Sequence, residues 1–146
     1  MYSKILVPVD GSETALAGLK EAVRLAKNQG AKICVLHIVD ELVLDYSYGS
    51  GLYAGTVIDS LREGGKKILA DAIALVRDGG IAAESVLVET IGGPAAASIV
   101  EQAKNWQAEL IVVGTHGRRG LRRLALGSDA EQVIRTSPVP ILLVRG

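Results

Sequence analysis

The sequence predicts a doubly wound (Rossmann-like) α/β fold: a parallel sheet with helices on both faces. Short apolar runs and amphipathic stretches alternate along the chain in the order β-α-β-α-β-α-β-α-β. The runs Ile5–Val9, Ile33–Val39 and Leu110–Val113 are almost unbroken, as strands covered on both faces require. At 146 residues, 49% apolar, with no Phe and one Trp, the chain has the length for one core, and that core must be aliphatic.

Taken in order, the first strand runs into Asp10-Gly11-Ser12, which is a stop, a turn and a helix N-cap in succession. Ala15, Leu16, Leu19, Ala22, Val23 and Ala26 then recur at helical spacing, and Gly30 closes the helix. Ile33–Val39 is the second strand, interrupted only by His37. Residues 40–55 lack a stable period and read as a loop; its tyrosine-bearing part, 45–55, is either a lid over a nucleotide or a mobile connection, and Tyr46, Tyr48 and Tyr53 fall in it, outside the core. A long helix follows, with Ile58, Leu61, Ile68, Leu69, Ala72 and Val76 on its inner face. Gly64-Gly65 interrupts it at a cost of roughly 1 kcal/mol per glycine relative to Ala. Gly65 lies on the apolar stripe, which favours close packing against the sheet over a kink. Gly79-Gly80 ends this helix, and Ala82–Thr90 alternates as an edge strand does. Gly92-Gly93-Pro94 opens the third helix with proline in its first turn, and Ile99, Val100, Ala103 and Trp106 mark its buried side. Leu110–Val113, Ser128–Thr136 and Val139–Val144 complete the series as strand, helix and strand, with Pro138 and Pro140 at the last strand's start. No repeat or long linker divides the chain, so residues 1–146 read as one domain.

Sixteen basic and sixteen acidic residues leave no net charge, which argues against general attraction to nucleic acid or an anionic membrane. A single cysteine, Cys34, excludes an internal disulfide and suits a reducing compartment. Met1–Val7 lacks a signal-peptide pattern, and no apolar run approaches the ~20 residues of a membrane span. These features set the expectation of a cytoplasmic protein.

The segment richest in chemistry is Gly114-Thr115-His116-Gly117, followed after nine residues by Gly127-Ser128. It connects an apolar strand to a helix start, the setting in which main-chain N–H groups surround a phosphate. Glycine suits such a loop because a Cβ would hold the backbone away from the ligand. The connection from Gly114 to Leu126 far exceeds the ~2–6 residues usual in α/β units. It also carries Arg118, Arg119, Arg122 and Arg123, so an anion preference can be local in a neutral chain. In an open α/β sheet, ligands bind beyond the carboxyl ends of strands where the winding reverses. If the first and fourth strands are neighbours, Asp10 and Gly114 border one crevice. Asp10 would accept from ribose hydroxyls, and the Gly117 and Gly127-Ser128 amides would hold phosphate. The plain alternative is a surface loop rich in Gly and Arg.

Other groups carry competing readings. Ser128-Asp129-Ala130-Glu131 matches a capping box, a role that competes with a Ser128 hydroxyl on phosphate. His116 has no neighbouring carboxylate to orient it as a base, and His37 reads as a buried, hydrogen-bonded core histidine. Cys34, His37 and His116 do not have metal-ligand spacing. Gly49-Ser50-Gly51 follows no strand, and there is no Gly-x4-Gly-Lys-Ser/Thr, so the dinucleotide and P-loop fingerprints both fail.

Val7-Pro8-Val9-Asp10-Gly11-Ser12, Leu36-His37-Ile38-Val39, the Gly114-x2-Gly117-x9-Gly127-Ser128 spacing and the tail Val133–Val144 together resemble the universal stress protein family, in its ATP-binding branch. The resemblance extends over essentially the whole chain. It implies five parallel strands ordered 3-2-1-4-5, with ATP in the crevice between the first and fourth. Pro8, Val9 and Asp10 would meet adenine and ribose, and Val39 would bond adenine through its backbone. Gly114, Thr115, His116, Gly117, Arg118 and Gly120, with Gly127 and Ser128, would hold the phosphates. Other adenine nucleotides stay open, because nothing in the pattern counts phosphates. One departure is Asp129, where the family commonly has a small apolar residue. A carboxylate in a first helical turn gains about 0.3–1 kcal/mol from the macrodipole, yet it repels a triphosphate unless a cation such as Mg²⁺ intervenes; the plain reading is a helix-capping charge that points to solvent.

The implied function is that of an ATP-binding regulatory protein of the stress response. The implied assembly is a homodimer, paired antiparallel through the last strand, Val139–Val144, which is outermost in that order. A slow ATPase or a phosphoryl or nucleotidyl transferase is the enzymatic alternative, though no convincing base is present. A nucleotide-free scaffold is the third.

Overall fold

The computed structural model describes residues 1–41, 54–115 and 126–146. Within them the elements are β1 (Lys4–Pro8), α1 (Glu13–Gln29), β2 (Lys32–Asp40), α2 (Ala54–Asp78), β3 (Ala83–Thr90), α3 (Ala95–Trp106), β4 (Leu110–Gly114), α4 (Ser128–Thr136) and β5 (Ile141–Val144). The five strands form one parallel sheet in the order β3-β2-β1-β4-β5. The winding therefore reverses between β1 and β4, where Ile5 lies opposite Leu110 and Leu6 opposite Ile111.

The unbroken apolar strands divide their side chains between two cores. Ile5, Val7, Val9, Ile33, Val35, Leu110 and Val112 face α1 and α2, meeting Leu19, Ala22, Val23, Leu69, Ala72 and Val76. Leu6, Cys34, Leu36, Ile111 and Val113 face α3 and α4, meeting Ala96, Ile99, Ala103, Ala130 and Val133. Fully burying one such Leu or Ile contributes about 1.5–3 kcal/mol. Small residues on the helices let β-branched strand residues come close, which replaces the bulk that Phe usually supplies.

The helix ends follow the sequence signals with two exceptions. Ser12 caps α1 by accepting from the Ala15 amide at 3.2 Å, and Gly30 ends it in the left-handed conformation at φ 67°. Pro94 stands one position earlier than expected, as the N-cap of α3 with φ −73° and ψ 140°, because its carbonyl already accepts from Ala97 at 3.1 Å. Of the two readings of Ser128, the capping box is absent: Gly127 is the N-cap of α4, with no side-chain cap bond. Its carbonyl accepts from the Glu131 amide at 2.9 Å, while the Glu131 carboxylate turns to Arg135 at 2.7 Å.

Three apolar positions sit further out than the pattern implies. Leu16 and Leu61 are exposed, and Trp106 is half-buried at the rim of α3. There its indole N–H donates to Glu84 at 2.9 Å, and the Lys4 ammonium lies 5.2 Å from the ring centroid. Strand β5 begins at Ile141 rather than Val139. The Val139 amide is taken instead by the Ser137 hydroxyl at 3.1 Å, and Pro140 has no amide to give. Helix α2 runs unbroken through Gly64-Gly65. A Cβ on Gly65 would stand 2.7 Å from His37 Cδ2 and 3.1 Å from Leu87 Cδ1, so the glycine is there for close approach to the sheet.

Candidate functional site

Residues 8–15 build one wall of the switch-point crevice. Pro8 closes β1 opposite Leu36, and Val9 is buried, its amide donating to Leu36 O at 2.8 Å. The chain then leaves the sheet. Asp10 Oδ1 accepts the Ser12 amide at 2.9 Å in an Asx turn, with Gly11 between them at φ 82°. This fixes the Asp10 carboxyl at the carboxyl end of β1 while α1 starts directly behind it.

The other wall comes from β4 and α4. Gly114 ends β4, and Thr115 donates its amide to Val144 O at 3.1 Å. The Thr115 carbonyl accepts the Gly127 amide at 2.7 Å, which seats the start of α4 on the end of β4. Gly127 has no side chain to cap with, so the first-turn amides of Ser128, Asp129 and Ala130 receive no acceptor from a capping side chain. Ser128 and Asp129 are exposed, and Asp129 and Glu131 place two carboxylates in that first turn. His116, Gly117, Arg118 and Gly120, with Arg119, Arg122 and Arg123, lie outside the described residues, as do the tyrosines of the loop after β2.

Two of the motif glycines have duties within the fold. A Cβ on Gly114 would stand 2.8 Å from Thr14 O and 3.1 Å from Thr14 Cβ, so Gly114 is required by the first turn of α1 crossing over β4. Sequence spacing missed Thr14, which is buried, because a buried threonine at a helix start looks like any capping residue. The Gly127 amide, expected on phosphate, already has Thr115 O as its acceptor.

The third wall is the end of β2. Ile33 and Glu41 donate their amides to β3, at Ala82 O and Thr90 O, whereas Lys32 donates to Ser3 O on the β1 side. Main-chain groups alternate along a strand, so the odd-numbered residues of β2 serve β3 and the even-numbered ones face β1. Val39 therefore commits its N–H and C=O to the β3 ladder, while Ile38 and Asp40 turn theirs toward the crevice beyond the end of β1. His37 is half-buried and hydrogen-bonded, as expected, with Nδ1 2.8 Å from Val9 O.

The remaining reactive groups lie elsewhere. Burial pushes the Cys34 thiol up to about 11, with the Glu84 charge adding to it, so Cys34 is a core residue and not a nucleophile. Among the described residues no His, Cys, Asp and Glu gather in a group able to hold a metal, and no helix is long and apolar enough to cross a membrane. An open depression of about 800 Å³ lies at the amino ends of the strands, bordered by Ser3, Lys32, Gly80, Gln107 and Glu109. It is at the opposite end of the sheet from the switch point.

Comparison with known proteins matches residues 1–145 to the model of the universal stress protein family. The chain belongs to that family. Among universal stress proteins, MJ0531 of Methanocaldococcus jannaschii is 33% identical over 145 residues, which cover 99% of this chain and 83% of the relative. The solved structure of MJ0577 from the same organism superposes with a TM-score of 0.85 at 29% identity, over 100% of this chain and 97% of that one. A universal stress protein from Archaeoglobus fulgidus, solved in complex with dAMP, gives a TM-score of 0.69 at 25% identity, covering 98% of both chains. The strand order 3-2-1-4-5 is thus the universal stress protein fold.

Proposed function

We propose that this universal stress protein binds ATP, and that residues 1–146 form a single nucleotide-binding regulatory domain that works as a homodimer in the cytoplasm. The observation that carries the proposal is the bond from the Gly127 amide to Thr115 O, which brings an uncapped helix N-terminus to the reversal between β1 and β4. Such a helix start attracts anions through its dipole and through first-turn amides that no side chain among the described residues caps. Its donors to phosphate are the Ser128, Asp129 and Ala130 amides, with Gly127 serving as the tie.

Adenine fits the opposite wall. The Ile38 N–H and C=O, facing the crevice side by side, match the acceptor and donor of the adenine edge better than Val39, whose groups serve β3. Asp10, at the carboxyl end of β1, would accept from ribose hydroxyls. The relative solved with dAMP supports an adenine nucleotide, and the Gly114-x2-Gly117-x9-Gly127-Ser128 spacing favours a triphosphate. Asp129 would either repel that triphosphate or meet it through Mg²⁺.

Calorimetric titration with ATP, with and without Mg²⁺, is the direct test. Gly117→Val, at a glycine that the family spacing assigns to the phosphates, should weaken ATP at least about tenfold while the melting temperature holds; a tenfold change corresponds to about 1.4 kcal/mol. Unchanged affinity would favour a scaffold without nucleotide. Steady phosphate release faster than about one per second would make the protein an enzyme instead.

A further inference from the structure

The geometry points to His37 as the residue that opens the adenine-reading edge of β2, by taking a carbonyl out of the sheet. A parallel ladder between β1 and β2 follows a fixed sequence of rungs. Lys32 N–H donates to Ser3 O, and at the far end Val9 N–H donates to Leu36 O. The next rung in that sequence is Ile38 N–H to Val9 O. Among the described residues that rung is missing, and the paired register stops at Pro8 opposite Leu36. The Val9 carbonyl is instead 2.8 Å from His37 Nδ1. A carbonyl can only accept, so Nδ1 carries the proton.

The exchange is specific. His37 projects toward α2, because odd residues of β2 face that side, and its ring edge rests under Gly65, where a Cβ would be 2.7 Å from Cδ2. Held there, the ring satisfies Val9 O from the helix face. The carbonyl keeps its hydrogen bond, so the broken rung leaves no buried unpaired acceptor. The Ile38 N–H loses its acceptor on β1 and becomes a donor directed at the crevice. His37 is thus a positioning residue: it touches no nucleotide, and it leaves the Ile38 main chain without a partner on β1 among the described residues, where a base edge can complete it. Gly65 is part of the same device, since any larger residue would press on the ring.

This inference rests on the nucleotide reading, and two measurements keep their failures apart. His37→Phe keeps a ring under Gly65 and removes the donor. His37→Asn places its side-chain N–H near the position of Nδ1 and restores the donor. In calorimetric titrations His37→Phe should lose about tenfold in ATP affinity, the order of one hydrogen bond, while binding inorganic tripolyphosphate within about twofold of the unsubstituted protein. His37→Asn should recover ATP to within about threefold. Equal loss of ATP and tripolyphosphate would show a merely structural role and overturn the inference. Independently of any ligand, amide hydrogen exchange should be fast at Ile38 and slow at Val39 in the unsubstituted protein, with Ile38 slowing in His37→Phe as the rung re-forms. Slow exchange at Ile38 in the unsubstituted protein would overturn the inference even if ATP binds. Absence of ATP binding to the unsubstituted protein would overturn the nucleotide reading, with the exchange pair still deciding whether His37 breaks the rung.

Discussion

At the scale of single residues, Gly64 and Gly65 make a controlled pair. Both are mid-helix glycines, so each carries the same conformational cost of roughly 1 kcal/mol relative to Ala. A Cβ on exposed Gly64 meets nothing within 4 Å, whereas on buried Gly65 it meets the His37 ring at 2.7 Å. The expected signs are therefore opposite. Gly64→Ala should raise stability by about 0.5–1 kcal/mol. Gly65→Ala should lower it by about 1–3 kcal/mol, since overpacking outweighs the propensity gain. Urea denaturation of the two variants checks this, and two changes of the same sign would refute the packing account. The apolar stripe in the sequence pointed to Gly65 because position on a helix face is a local property. It gave no hint that Gly114 answers to Thr14, because that contact joins residues far apart in the chain.

Among the elements, α2 is tied to the ends of two strands by one guanidinium. Arg62 bridges Glu89 with two nitrogens and reaches Glu41 at 3.3 Å and Asp59 at 3.2 Å. Glu41 follows β2 and Glu89 lies in β3, so this cluster docks the amino-terminal half of α2 over the strand ends. The Glu89 hydrogen bond, ahead of the three carboxylate charges, raises the Arg62 pKa, and the side chain stays charged at any working pH. Arg62→Ala should lower the urea midpoint by leaving three carboxylates facing one another. That deficit should shrink in 1 M NaCl, where charges are screened within about 3 Å. A deficit independent of salt would assign the loss to packing of the aliphatic stem. Helix α4 shows the limit of local signals. Ser128 and Glu131 have the spacing of a capping box, yet the bond from Gly127 to Thr115 moves the cap one residue earlier, and no window of sequence contains both partners' geometry.

For the whole molecule, β5 is the edge of the sheet that a second copy can cover. It is the outer strand beside β4, it is four residues long, and Leu143 in it and Ile134 on α4 are exposed. Edge strands of this kind are prone to pair. Antiparallel pairing of two copies through β5 should give a dimer in analytical ultracentrifugation at tens of micromolar. Leu143→Lys should shift it to monomer with the circular dichroism spectrum unchanged. A monodisperse monomer before substitution would rule that assembly out.

The order of elements, the parallel sheet and the division of each strand between two cores were fixed locally, because strand and helix periods, turn residues and burial on both faces are written in consecutive residues. What tertiary structure alone decided is which main-chain groups stay free at the crevice. Val39 and Ile38 are adjacent and equally apolar, as are the Gly127 and Ser128 amides adjacent in the motif. Which of each pair is spent on the fold depends on acceptors that β1, β3 and β4 bring from elsewhere in the chain, and a hydrogen bond needs both its ends in place.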